Sequence, residues 1–84
     1  MSYRIVIDPP AVKALKRLDP PVRRRIESAI DKLSENPRPP GCKKLSGVDA
    51  WRIRAGDWRI VYSIDDDVLI VLVVRIGHRR DVYD

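Results

Sequence analysis

Hydrophobic and polar positions divide the chain into a helical first half and a strand-forming second half. Tyr3 to Ile7 is a short β-prone run, stopped by Asp8-Pro9-Pro10. Aspartate before proline is a helix-start signal. Asp favours the cap, and proline tolerates an early helical position because the N–H it lacks has no partner there. Ala11, Val12, Leu15 and Leu18 follow at helical spacing and predict a short first helix. Asp19-Pro20-Pro21 repeats the punctuation. Val22, Ile26, Ala29, Ile30 and Leu33 then fall at i, i+4, i+7, i+8 and i+11, a single apolar stripe. Arg23, Arg24, Arg25, Asp31, Lys32 and Glu35 lie mostly off it. Asn36-Pro37 ends this second helix, because a residue before proline disfavours the α region. The tight Asp-Pro-Pro link predicts an antiparallel helical hairpin.

Residues 37–49 read as a loop, with prolines at 37, 39 and 40 and glycines at 41 and 47. The period then changes to two. Trp51-Arg52-Ile53-Arg54 and Trp58-Arg59-Ile60-Val61-Tyr62 alternate, and Gly56-Asp57 between them suits a two-residue hairpin turn. That turn pairs Ala55 with Trp58, Arg54 with Arg59, Ile53 with Ile60 and Trp51 with Tyr62. Opposed residues share a face. Trp51, Ile53, Trp58, Ile60, Tyr62 and Ile64 therefore line one face, and Arg52, Arg54 and Arg59 line the other. Asp65-Asp66-Asp67 makes the next turn, and Val68 to Ile76 is apolar on both faces, as a covered central strand should be. Its register is open from sequence. The expected fold is α+β, in the order β-α-α-β-β-β. The helical hairpin packs on one face of a small, mainly antiparallel sheet in a single domain, residues 1–84. Most of the other face is left for function.

Composition narrows the class. With 84 residues, one modest core is expected, and 44% hydrophobic content suffices for it. Lys and Arg number 17 against 12 acidic residues, a net charge of +5. Such a balance favours an anionic partner, although a basic soluble protein without one has the same charge. Cys42 is the sole cysteine, so no intrachain disulfide forms and a cytoplasmic location is expected. No histidine neighbours it in sequence, and an inert thiol is expected. Met1-Ser2-Tyr3-Arg4 does not begin a signal peptide, and Val68 to Val74 is too short to cross a bilayer, so no membrane partner is expected.

The arginine face is the candidate site. Directly opposed like charges destabilise a sheet, and no acidic residue alternates with Arg52, Arg54 and Arg59. Cleavage of RNA by its own 2′-hydroxyl needs a base, cations for the charge on the phosphorane, and an acid for the leaving 5′-oxygen. Arginine supplies the cations through a fixed fork of donors. A guanidinium keeps its proton across ordinary pH, which makes it a poor acid or base. His78 and Tyr83 are the nearby candidates for proton transfer, and tyrosine can also stack on a base. One histidine and one cysteine do not make a metal site, and no cofactor is expected. The Asp65–Asp67 run reads as a turn.

The "WRIRAGDWRIVY" hairpin, the "IGHRRDVY" ending and the order of elements resemble the RelE/ParE superfamily of bacterial toxins, from Tyr3 to Tyr83. The resemblance implies a RelE-type toxin of a type II toxin–antitoxin module. Such a toxin enters the ribosomal A site, cleaves mRNA without a metal, and is neutralised by a RelB-type antitoxin. The family's basic and aromatic site residues map onto Arg52, Arg54, Arg59, Arg79 and Tyr83. His78 stands beside the mapped arginine, and some relatives use a histidine in this region as general acid. Well-known members carry lysine at the positions of Arg52 and Arg54, so a general base there is not available to this chain. Two other functions fit the scaffold: a ParE-type inhibitor of DNA gyrase, and a non-toxic module that only docks an acidic antitoxin. Arg23, Arg24, Arg25, Lys43 and Lys44 are candidate contacts to ribosomal RNA phosphates, with a solvated surface as the alternative.

Overall fold

A computed structural model describes residues 2–80. Its elements are β1 (Arg4–Ile7), α1 (Pro9–Lys16), α2 (Pro20–Lys32), β2 (Lys43–Lys44), β3 (Trp51–Ala55), β4 (Trp58–Asp65) and β5 (Ile70–His78). The strands form one five-stranded sheet in the order β1-β5-β4-β3-β2. β1 runs parallel to β5 and the other pairs are antiparallel. The expected fold class holds, with one addition: Lys43 and Lys44, assigned to a loop from sequence, pair with Arg52 and Trp51 as a short edge strand. Two lysines carry no hydrophobic alternation, so only the neighbouring strand identifies them as β.

Both helices begin as the proline punctuation predicts, with Pro at their first positions. Asp8 and Asp19 occupy the cap positions, but neither side chain makes a capping bond. Pro10 and Pro21 remove one of the two N–H donors that a cap side chain can reach. The cap carbonyls act instead: Asp8 O accepts from Ala11 N–H at 2.9 Å, and Asp19 O from Arg23 N–H at 2.9 Å.

The core lies between the helices and one face of the sheet. Ile26, Ile30 and Leu33 of the predicted stripe are buried with Ala11 and Leu15 against Ile53, Ile60, Tyr62, Val71, Val73 and Ile76. The β5 register turns on a bulge opposite Val61 and Tyr62, where Val61 pairs with Arg75 but Tyr62 with Val73. The shift changes the strand's parity. Ile76, Val73 and Val71 all reach the core, while Leu72 and Val74 are only half-buried. Tyr62 is fully buried and its hydroxyl donates to the Pro37 carbonyl at 2.7 Å, fixing the loop that leaves α2.

The opposite face is less open than its sequence suggests. Arg52 is 4% exposed and Val61 8% exposed. Arg75, paired with Val61 on the same face, stays exposed beside them, so the burial is confined to these two side chains.

Candidate active site and basic groove

The hairpin register is the one the turn dictates: Arg54 opposes Arg59, Ile53 opposes Ile60, and Ala55 opposes Trp58. Gly56 has φ +62, while Asp57 is not among the positive-φ residues, the pattern of a II′ hairpin turn. On its other side Arg59 pairs with Gly77, which presents no side chain. Arg79 follows β5 directly. Its N–H donates to Asp57 O at 2.8 Å, and its guanidinium lies 3.9 Å from the Asp57 carboxylate. Arg54, Gly56, Asp57, Arg59 and Arg79 thus line one small cleft of about 140 Å³.

The structure therefore brings Arg54, Arg59 and Arg79 together at one end of the sheet, across residues 54–79 of chain. It adds Asp57, which sequence reading treated only as a turn residue. Asp57 does not alternate with the arginines along a strand. It enters the cluster because the tip of the hairpin folds against the end of β5. Arg52 is on the same face, two residues further from the turn, and is buried.

His78 stands apart. It pairs with Trp58 and meets its ring edge-on, with centroids 5.5 Å apart. Strand alternation places it on the face opposite Arg59. Its Nδ1 accepts from Arg80 N–H at 3.4 Å. The structure does not bring His78 to the arginine cleft, because residue 77, not 78, has the parity of Arg59. Tyr83 lies outside the described residues.

The predicted RNA-contact set also divides. Arg25, on α2, leans over the hairpin turn: its Nη1 is 2.9 Å from where a Cβ on Gly56 would stand. Arg25 and Lys43 line a groove of about 870 Å³ with Lys32, Arg52 and Arg54. Its remaining walls include Ala29, Pro39, Pro40, Cys42, Ile53 and Ala55. Arg23, Arg24 and Lys44 are not on the groove. Lys44 instead donates to Val48 O at 3.2 Å and faces Asp49 at 3.8 Å. Lys32 was passed over in sequence because one charge on a helix surface carries no signal of its own.

A second polar cluster sits at the far end of the sheet. Arg38 grips Asp66 with two bonds, 2.9 and 3.2 Å, and Tyr3 Oη donates to the same carboxylate at 2.6 Å. Arg38 also lies 5.1 Å from the Trp51 ring centroid. The guanidinium and the hydroxyl hold Asp66 down to a pKa of about 2, and the bond to Asp66 raises that of Tyr3. This cluster ties β1, the loop after α2 and the β4–β5 turn together. It is structural reinforcement away from the arginine cleft. Among the described residues no group of His, Cys, Asp and Glu could hold a metal ion. Among the described residues no helix is long and apolar enough to cross a membrane.

Comparison with known proteins gives the same picture. A family profile described as "ParE toxin of type II toxin-antitoxin system, parDE" matches residues 5–83. An Escherichia coli protein described as a RelE-like toxin is 32% identical over 100% of this chain and 93% of its own length. The mRNA interferase toxin RelE of Escherichia coli K12 is 28% identical over 95% of this chain and 86% of its own length. In the crystal structure of the archaeal RelE–RelB complex from Pyrococcus horikoshii OT3, a chain 31% identical superposes with a TM-score of 0.85, covering 98% of this chain and 100% of that one. Fold, hairpin and profile agree: the chain belongs to the RelE/ParE family of type II toxin–antitoxin toxins and is RelE-like.

Proposed function

We propose that this protein is a ribosome-dependent mRNA endonuclease. It cleaves by attack of the substrate's own 2′-hydroxyl, and a RelB-type antitoxin neutralises it. The observation that carries the reading is the convergence of Arg54, Arg59 and Arg79 on one cleft. Three guanidinium groups around a space of about 140 Å³ suit a phosphate that gains charge in the transition state. Arg52 adds a buried charge on the same face. Asp57 places a carboxylate 3.9 Å from the Arg79 guanidinium at the rim of the cleft. The part arginine chemistry suits is to grip and neutralise the phosphate. Proton transfer falls to Tyr83, by the resemblance, or to groups that the RNA and ribosome supply. His78 is not used, since it faces Trp58. The relative described as an mRNA interferase supports the same activity.

The test is cleavage of a defined mRNA by the purified protein with and without ribosomes. Cleavage only with ribosomes, lost in Arg59→Ala and Arg79→Ala, is expected. Trapped gyrase–DNA complexes without mRNA cleavage would assign the cleft to gyrase. Harmless expression of the intact chain would leave only an antitoxin-docking role.

A further inference from the structure

The larger groove and the arginine cleft share Arg54. Between them Arg25 bends over Gly56, which lines the cleft. The cationic surface therefore runs without a break from Arg79 and Arg59, past Arg54 and Arg25, to Lys43 and Lys32. No carboxylate lines the groove among the described residues. Its walls mix these cations with small apolar surfaces from Ala29, Ile53, Ala55 and Pro40. A groove of about 870 Å³ is far larger than a single phosphate needs and has room for sugar and base.

We propose that this groove, between α2, β3 and the segment 39–43 that enters β2, is a subsite for the single-stranded RNA flanking the scissile phosphate. The inference takes RNA as the ligand from the functional reading above. Arg25, Lys32 and Lys43 hold successive phosphates, and the apolar walls cover an unstacked base. Continuity with the arginine cleft favours RNA over an acidic peptide, because a strand seated at Arg59 and Arg79 runs directly into the groove. The small wall residues offer no deep pocket for the large anchors that peptide recognition uses. No aromatic side chain lines the groove among the described residues, so charge rather than stacking dominates and base preference here is weak. The groove takes Arg25 and Lys32 as its cations from α2 and leaves Arg23 and Arg24 to other surfaces.

The test measures anisotropy of a fluorescein-labelled, fully 2′-O-methylated oligoribonucleotide, which cannot undergo internal attack. Arg25→Ala, Lys32→Ala and Lys43→Ala are made singly and together, with Lys13→Ala, exposed on α1, as the distant control. The triple variant is expected to bind at least tenfold more weakly. Its slope of log affinity against log salt should flatten by about 0.7 for each cation removed. Circular dichroism checks that the variants are folded, and 4-thiouridine crosslinks should map to Pro40 or Cys42. Equal affinity and slope for the triple variant and wild type would overturn the subsite. So would groove variants that lose an acidic peptide probe but keep the RNA, which would give the groove to a protein partner. Groove variants that bind and cleave normally while Arg59→Ala does not cleave would remove only the subsite. Groove-dependent binding by a wild type that never cleaves with ribosomes would remove only the nuclease function.

Discussion

Replacing Gly56 by alanine would separate two physical costs at the tip of the hairpin. Gly56 has φ +62, and a Cβ there would sit 2.9 Å from Arg25 Nη1. The steric term is small, because the far end of an exposed arginine can swing aside. The backbone term is not, because an L-residue at positive φ costs roughly 1–2 kcal/mol. For a domain of this size each kcal/mol lowers Tm by about 4–8 °C, so a fall of roughly 4–16 °C is expected. Scanning calorimetry of Gly56→Ala, Arg25→Ala and the double variant closes a thermodynamic cycle. The expected coupling is near zero, since truncating Arg25 relieves the contact but not the backbone. A Tm for Gly56→Ala equal to that of wild type would refute the positive-φ argument. Full recovery in the double variant would show that the clash, not φ, carries the cost. The same turn presents Asp57 to Arg79, so Gly56→Ala should also reduce cleavage.

Other consequences follow from single contacts. Arg59→Ala or Arg79→Ala should each lower ribosome-coupled cleavage by about a hundredfold or more, the usual cost of one preorganised donor, without unfolding the domain; unchanged rates would displace the cleft as the site. Tyr62→Phe leaves the Pro37 carbonyl without its 2.7 Å donor and should cost about 1–3 kcal/mol in chemical denaturation, and a loss under about 0.3 kcal/mol would discount that bond. Asp66 is held down to about 2, below its ordinary value near 3.9, so its contribution to stability is complete above about pH 4 and is lost as pH falls toward 2. Tyr3 is shifted the other way, so the same cluster also weakens as pH rises past 10. Near-ultraviolet dichroism of Trp51, beside Arg38, should report both changes, and an identical acid titration in Arg38→Ala would contradict the assignment.

What sequence determines here is what local chemistry fixes. The Gly56-Asp57 turn sets the hairpin register by itself, because two residues between strands leave only one set of opposed pairs. From that register the placement of Arg52, Arg54 and Arg59 on one face follows by alternation. The helix starts follow equally from Asp-Pro-Pro, which acts through adjacent backbone groups. Tertiary structure decided whatever depends on partners distant in the chain. Val68 to Val74 is apolar throughout, so only packing against α1 and β1, with the bulge opposite Val61 and Tyr62, could select its buried positions. That bulge and the pairing beyond it place Gly77 beside Arg59 and turn His78 to Trp58. Lys43 and Lys44 become a strand only because β3 lies alongside. Asp57 meets Arg79, and Arg25 meets Gly56, only once hairpin, β5 and α2 are assembled. The alternating arginines were written in the sequence; the cleft and groove they line depend on how distant segments pack, and residue spacing alone does not encode it.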